Sequence, residues 1–340
     1  MTFCLINIII TSVVLESMAK RAKALEWKEL KMSKLLVFGH LNPDTDTICS
    51  SIVAANLINK LDLGYEAEPV RLGKVNKETE YVFNYLNMEA QREISSVGED
   101  DLVWLVDHNE AGQSVEGRDK ATVVGVIDHH MIRDFATIAP LYYIAKPYGC
   151  TCTILFELYN QNNIEIDKEM ATLMLSAIIS DTLLLKSPTC TQKDIDAFKA
   201  LEKIAGVDAA EYGLAMLKAG TDISTFSAQE VINLDAKLFE EKGKKVVVAQ
   251  VNTADIDDVF SRKDELSFAI EKEIADKGLD LFMFVITDII NTNSKVMVLG
   301  NDKEVVEKAF DKKLDEDDSM LLEGVVSRKK QIAPPILANL

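Results

Sequence analysis

The sequence is poor in positive charge and has no cysteines arranged for pairing. Lys and Arg number 37 against 55 Asp and Glu, for a formal net charge of -18. Such a chain repels polyanions at long range, so no nucleic acid is expected as a partner. A small anion remains admissible if basic side chains gather locally. The five cysteines (Cys4, Cys49, Cys150, Cys152, Cys190) are odd in number and include no CxxC pair. That pattern argues against a disulfide framework and fits thiols kept reduced in the cytoplasm. The apolar run CLINIIITSVVL, Cys4 to Leu15, is shorter than the roughly 20 residues that cross a bilayer as a helix. No Lys or Arg precedes it, as one would in a secretory signal. No membrane association is expected, and no internal repeat is visible.

What is present is a chain of 340 residues, 48% hydrophobic, enough for two domains with a sizeable core. Met32 is followed by SKLLVFGH, which reads as a natural beginning. Residues 1–32 are therefore set apart as an N-terminal extension, or a start assigned too early. From Lys34 the pattern alternates. LLVF (Leu35 to Phe38) reads as a buried strand and Asp46 to Leu61 as a helix with apolar positions at helical spacing. AEPVRLG, DLVWLVD and TVVGVID follow as strands, with helix expected over Lys77 to Leu86. Strands separated by helices imply a parallel sheet with crossovers. Beyond Pro147 the chain turns helical over Thr151 to Tyr159, Lys168 to Leu184, Gln192 to Ile204 and Ala209 to Lys218. A polar segment, Ala219 to Ser227, marks a boundary. After it KKVVVAQVN and LDLFMFVITDI flank a charged helix, Asp255 to Lys277, and KVMVLG and GVVSRKK complete a smaller α/β unit. The expected division is a catalytic domain at 33–220, a linker at 221–227 and a second domain at 228–340.

All four histidines fall in loops that end three of the expected parallel strands. GHLNPDTDT supplies His40, Asp44 and Asp46, LVDHNE supplies Asp107 and His108, and VIDHH supplies Asp128, His129 and His130. The carboxyl ends of parallel strands share one sheet edge, where ligands bind. LSAIISDTLL adds Asp181 in an apolar helix, where an unpartnered carboxylate is costly. Each residue alone has a plainer reading. Asp44 or Asp46 can cap a helix, Asp107 a turn, and Asp181 can pair with a lysine. Jointly they point to one metal site. Carboxylates with imidazoles and no obvious thiolate suit manganese, cobalt, iron or magnesium better than structural zinc. Four aspartates match the charge of two divalent ions, and such a pair favours in-line attack of an activated water on phosphorus. Cys150 and Cys152, two apart, would point in different directions on a helix and make a poor chelate.

DHH at Asp128 to His130, with GHLNPDTDT and LVDHNE, resembles the DHH phosphoesterase superfamily. NPDTDTICS, EPVRLG, APLYY, LMLSAIISDT, KSPTCT, AGVDAAEYGLAMLKAG and GVVSRKKQ together resemble the family II, manganese-dependent inorganic pyrophosphatases, from about Ser33 to Pro335. The resemblance implies an N-terminal DHH domain with a mainly parallel sheet flanked by helices, and a smaller C-terminal α/β domain of the DHHA2 type. It implies two manganese ions per subunit (cobalt being an alternative), one held by His40, Asp44 and Asp107. The other would be held by Asp46, Asp107, His129 and Asp181, with Asp107 bridging. His130 would contact substrate and influence the leaving group. Lys237, Arg328 and Lys329 would bind phosphate from the second domain, and pyrophosphate would arrive with magnesium. A homodimer is also implied. The alternative is another DHH phosphoesterase acting on polyphosphate, oligonucleotides or cyclic dinucleotides.

Overall fold

The computed structural model describes residues 32–137 and 139–340. Apart from Met32, the expected N-terminal extension lies outside the described residues. The first half is built on a six-stranded sheet: β1 (Ser33–Phe38), β2 (Tyr65–Arg71), β3 (Arg92–Glu93), β4 (Leu102–Val106), β5 (Thr122–Asp128) and β6 (Tyr142–Ala145), in the order β3-β2-β1-β4-β5-β6. Every neighbouring pair is parallel. The order reverses between β1 and β4, which opens a crevice at their carboxyl ends. LVWLV reads as a continuous apolar run because β4 is covered on both faces, and Val103 through Val106 are buried.

One face of this sheet packs on α1 (Thr45–Leu61), α3 (Thr151–Gln161) and α4 (Lys168–Thr182) in a single apolar cluster that includes Val37, Val53, Leu155 and Ile178. α2 (Lys77–Leu86), α5 (Gln192–Ala205) and α6 (Ala209–Gly220) complete the helical set. Helix α4 is apolar nearly all round and buried from Met170 to Ile179, as a central helix must be. It stops at Thr182, two residues before the sequence pattern suggests, because Leu183, Leu184 and Leu185 adopt left-handed φ values of 48°, 54° and 66°.

The second half is a mixed five-stranded sheet of β7 (Ala236–Glu241), β8 (Lys244–Thr253), β9 (Leu281–Asp288), β10 (Asn293–Gly300) and β11 (Ser319–Leu322), ordered β11-β10-β9-β8-β7. Strands β8 and β9 run parallel and the other neighbours antiparallel. β9 is buried along its whole length, with a separate apolar cluster on each face. The single helix expected over Asp255 to Lys277 is two, Ile256–Phe260 and Lys263–Lys277. Ser261 and Arg262 separate them, and the Arg262 guanidinium donates to the carbonyls of Ile223 and Phe226 in the irregular segment after Gly220. GVVSRKK does not end in a strand: residues 328–332 form a wide helical turn capped by Ser327. Strands β3, β6, β7 and β11 and the helix Ala333–Asn339 carry too little apolar periodicity to stand out in the sequence, whereas Lys303–Phe310 is amphipathic but only eight residues long. Between Gly220 and Ala228 the chain has no regular element.

Candidate metal centre

The site is assembled where β1, β4 and β5 end. Gly39 lets the chain leaving β1 pass close to α1, since a Cβ there would lie 2.4 Å from Thr47 Cγ2. His40 follows, and its Nδ1 donates to Leu41 O at 2.8 Å. That fixes the tautomer and leaves Nε2 facing Asp44 Oδ2 at 3.4 Å and Asp107 Oδ2 at 3.6 Å. Asp44 is also the N-cap of α1, accepting from Thr47 N at 2.9 Å, so its plainer reading and its place in the cluster coexist. Asp46, in the first turn of α1 and fully buried, accepts from Thr151 N at 2.6 Å and Cys152 N at 3.3 Å at the start of α3.

Asp107 sits at the centre. Its φ is 59°, and its N–H still donates to Ile127 O in the neighbouring strand. Oδ2 accepts from Thr47 Oγ1 at 2.7 Å and Oδ1 from Thr151 Oγ1 at 2.9 Å. His129 Nε2 lies 3.3 Å from Asp107 Oδ1 and 3.8 Å from Asp181 Oδ2, while its Nδ1 donates to Tyr148 O at 3.0 Å. Candidate donor atoms of His40, Asp44 and Asp107 lie within 4.8 Å of one another, as do those of Asp46, His129 and Asp181. All six residues named from the sequence as metal ligands thus fall into two adjoining groups that meet at Asp107.

The electrostatics describe a pocket short of cations. Burial pushes Asp46 up to about 7, aided by repulsion from Asp107. Asp181 is driven up by burial and by Asp46 and Asp107. Burial would lower His40 and His129, but neighbouring carboxylates outweigh it and hold both at about 9. Asp107 is held low against its burial by His129, His130 and His40. Asp181 Oδ2 is buried without a hydrogen-bond partner, which is unfavourable unless something else meets it. These residues fit divalent ions. Both imidazoles are oriented by carbonyls behind them, as metal-binding histidines usually are.

The remaining sequence candidates divide. His130 is half-exposed, with Nδ1 2.9 Å from Asp128 Oδ1 and 3.7 Å from Asp107 Oδ1. It lines a cavity of about 220 Å³ with His40, Asp107, Asn109, Gln113 and Arg133. Arg328 and Lys329 line a different cavity of about 820 Å³, between the two halves, with Asn76, Lys77, Asp222 and Gln250. Arg328 is held there by Asp235 at 2.8 Å. Lys237 is exposed on β7, its Nζ 5.8 Å from the Phe239 ring centroid, and lines neither cavity. The second-half cations are therefore not brought together with the carboxylates. His108 does not support the ligands directly: it is buried between Val106 O and Ser114 Oγ, and burial lowers it to about 4.

Cys150 and Cys152 depart from their expected geometry. Cys150 is the extended N-cap of α3, so helical spacing does not separate the two, and their sulfurs gather with an Asp46 oxygen within 4.8 Å. Burial raises both thiols, Cys152 to about 12. Sequence reasoning missed Asn109, whose Nδ2 donates to Asp128 Oδ2 at 2.6 Å, and the hydroxyls of Thr47 and Thr151. Asn109 stands inside LVDHNE, which is the signal that could have found it.

The model described as the DHH family, N-terminal domain, matches residues 34–178, and the one described as the DHHA2 domain matches residues 214–339. A curated Bacillus subtilis protein, "Manganese-dependent inorganic pyrophosphatase", is 56% identical over 304 residues, covering 89% of this chain and 97% of its own. The chain belongs to the manganese-dependent inorganic pyrophosphatase family. A solved Methanococcus jannaschii structure assigned to the family II inorganic pyrophosphatases is 39% identical, covers 90% of this chain and 99% of its own, and superposes with a TM-score of 0.58. Family membership accounts for both halves at once, the parallel sheet with its acidic edge and the mixed sheet that carries SRKK.

Proposed function

We propose that this chain hydrolyses inorganic pyrophosphate to two orthophosphates in a manganese-dependent reaction. The family supports the activity: relatives of nearly full length carry that name at more than half identity. The observation that carries the chemistry is the convergence of two donor groups on Asp107, with both histidine Nε2 atoms turned inward. Manganese, when bound, supplies Lewis-acid polarisation of phosphoryl oxygens and activation of a water for attack on phosphorus.

The chain's own residues divide the remaining work. His40, Asp44 and Asp107 would hold one ion, and Asp46, Asp107, His129 and Asp181 the other. Thr47 donates to one oxygen of Asp107 and Thr151 to the other, which holds the carboxylate where it can serve both groups. His130, with Nδ1 engaged by Asp128, presents Nε2 to the leaving phosphate and can hold or give a proton there. Lys237, Arg328 and Lys329 would grip phosphate oxygens, Arg bidentately and Lys as compact charges. Approach of the two halves about residues 221–227 would bring them to the carboxylate edge. Magnesium would accompany the substrate. We also read the chain as a cytoplasmic homodimer. The free Cys49, Cys150, Cys152 and Cys190 support a reducing compartment, and the family resemblance supports the dimer. No helix among the described residues is long and apolar enough to cross a membrane.

The test is phosphate release by metal-stripped protein after restoring manganese, cobalt, zinc or magnesium. Pyrophosphate is compared with polyphosphate, a short oligonucleotide and a cyclic dinucleotide. Manganese-dependent release from pyrophosphate is expected. Turnover of a nucleotide substrate in its place would reassign the chain to another branch of the superfamily.

A further inference from the structure

Glu78 belongs to neither donor group, yet it touches the chain segments that carry both. Its Oε1 accepts from Thr45 Oγ1 at 2.6 Å and from Ser180 Oγ at 2.5 Å. Thr45 lies between Asp44 and Asp46, and Ser180 precedes Asp181. A single oxygen on α2 therefore spans the start of α1 and the end of α4.

The same turn of α2 holds the linker. Lys77 Nζ donates to Asp222 O at 2.7 Å and lies 3.4 Å from Asp222 Oδ2. Gly220 presses on Glu78 itself: a Cβ at Gly220 would stand 2.9 Å from Glu78 Cβ and 3.1 Å from Oε2. Asn76 caps the helix through Thr79 N at 2.8 Å, which satisfies one of the free N–H groups of that turn. Burial raises the Glu78 carboxyl, with Ser180 and Thr45 offsetting part of the effect and Asp44 adding to it.

We propose that Glu78 is a positioning residue: it sets the separation between the Asp44–Asp46 segment and Asp181, and ties that separation to the linker through Gly220. The proposal rests on the pyrophosphatase reading only for its kinetic arm, since manganese affinity is measured without turnover.

Manganese binding to the full chain is titrated by the EPR signal of free ion, and metal-free melting is followed in parallel. Glu78→Ala should weaken manganese binding on the order of 10–100-fold, the usual effect of removing a group that orients metal ligands. Glu78→Gln, which keeps an acceptor for both hydroxyls, should stay within about threefold of wild type. Gly220→Ala should weaken binding without touching any ligand. Its effect should shrink but not vanish in the Glu78→Ala background, because alanine keeps the Cβ at 2.9 Å and loses the carboxylate oxygen at 3.1 Å. At saturating manganese the KM for pyrophosphate should be unchanged. A mere tether would lower the melting temperature and leave affinity intact. Affinity of Glu78→Ala within about twofold of wild type overturns the proposal. If that variant does not fold, Ser180→Ala, which removes one of the two bonds, is read by the same criterion. Wild-type protein that binds manganese but releases no phosphate from pyrophosphate sinks the activity reading and leaves this inference standing.

Discussion

Asp128 accepts a hydrogen bond from Nδ1 of His130 at 2.9 Å, and the same oxygen takes the His130 backbone N–H at 3.0 Å. Burial would raise Asp128, but His130 and Asn109 hold it below the usual carboxylate range, and Asp128 in turn raises His130. Asp128→Asn keeps the shape and removes the charge. Turnover should fall about 10–100-fold with manganese affinity retained. The His130 pKa should drop toward its ordinary value, which moves the alkaline limb of the rate profile to lower pH. An unchanged profile of kcat against pH would remove Asp128 from the mechanism.

Two alanine variants separate the ligands from the anion grip. Asp107→Ala removes oxygens shared by both donor groups, so bound manganese and phosphate release should be lost together. Arg328→Ala should keep its manganese and lose about 10²–10³-fold in turnover, the scale for a donor to developing charge. Metal content by atomic emission, read beside the rate, checks both. Normal turnover in either variant refutes its assignment.

The metal-free protein should become less stable as pH rises from about 6.5 to 9. His40 and His129 are raised to about 9 in the fold. Their contribution is complete below the ordinary histidine value of about 6.5 and is lost as pH climbs through 9. Asp46 is raised to about 7. The unfolded chain therefore releases that proton first, and the penalty grows from about pH 4 to 7. Both effects have the same sign, but below about pH 6.5 buried His108, lowered to about 4, opposes them, so the decline is read above that value. Manganese requires the deprotonated ligands and should reverse the trend. Thermal melting at several pH values, with and without manganese, reads this directly; a metal-free melting temperature that rises across the range would contradict it.

Asp194 is fully buried and accepts from Gly149 N at 2.9 Å, Thr153 Oγ1 at 2.6 Å, Thr191 N at 2.7 Å and Thr191 Oγ1 at 2.6 Å. It anchors the segment from which Thr151 reaches Asp46 and Asp107. Asp194→Ala leaves buried donors without partners and should cost about 3 kcal/mol. Urea unfolding checks the magnitude. Weaker manganese binding should accompany it, through the displaced start of α3.

The sheet edge was legible because its residues are both rare in type and tied to strand ends. All four histidines and the aspartates beside them follow apolar runs whose period identifies them as strands. The supporting hydroxyls and Asn109 were not legible, because Thr47 meets Asp107 across 60 residues of chain and nothing local in TDTIC announces it. Cys150 was misread for a local reason: an N-cap residue is extended, so the spacing rule for helices does not reach it. The short edge strands failed for want of apolar alternation, and the break at Ser261 and Arg262 has no Gly or Pro to announce it. The distance between SRKK and the carboxylates depends on how the two halves meet, which no local pattern encodes.

The left-handed backbone at Asp107 has a consequence for what evolution can place there. Few side chains with a β-carbon tolerate φ near 59°, and aspartate, asparagine and glycine are the readiest. Glycine offers no donor, and asparagine offers a neutral oxygen on one side and an amide nitrogen on the other. Backbone shape and ligand chemistry are two independent filters, and aspartate passes both. Glutamate, chemically the nearest relative, adopts this backbone less readily, at a cost of about 1–2 kcal/mol.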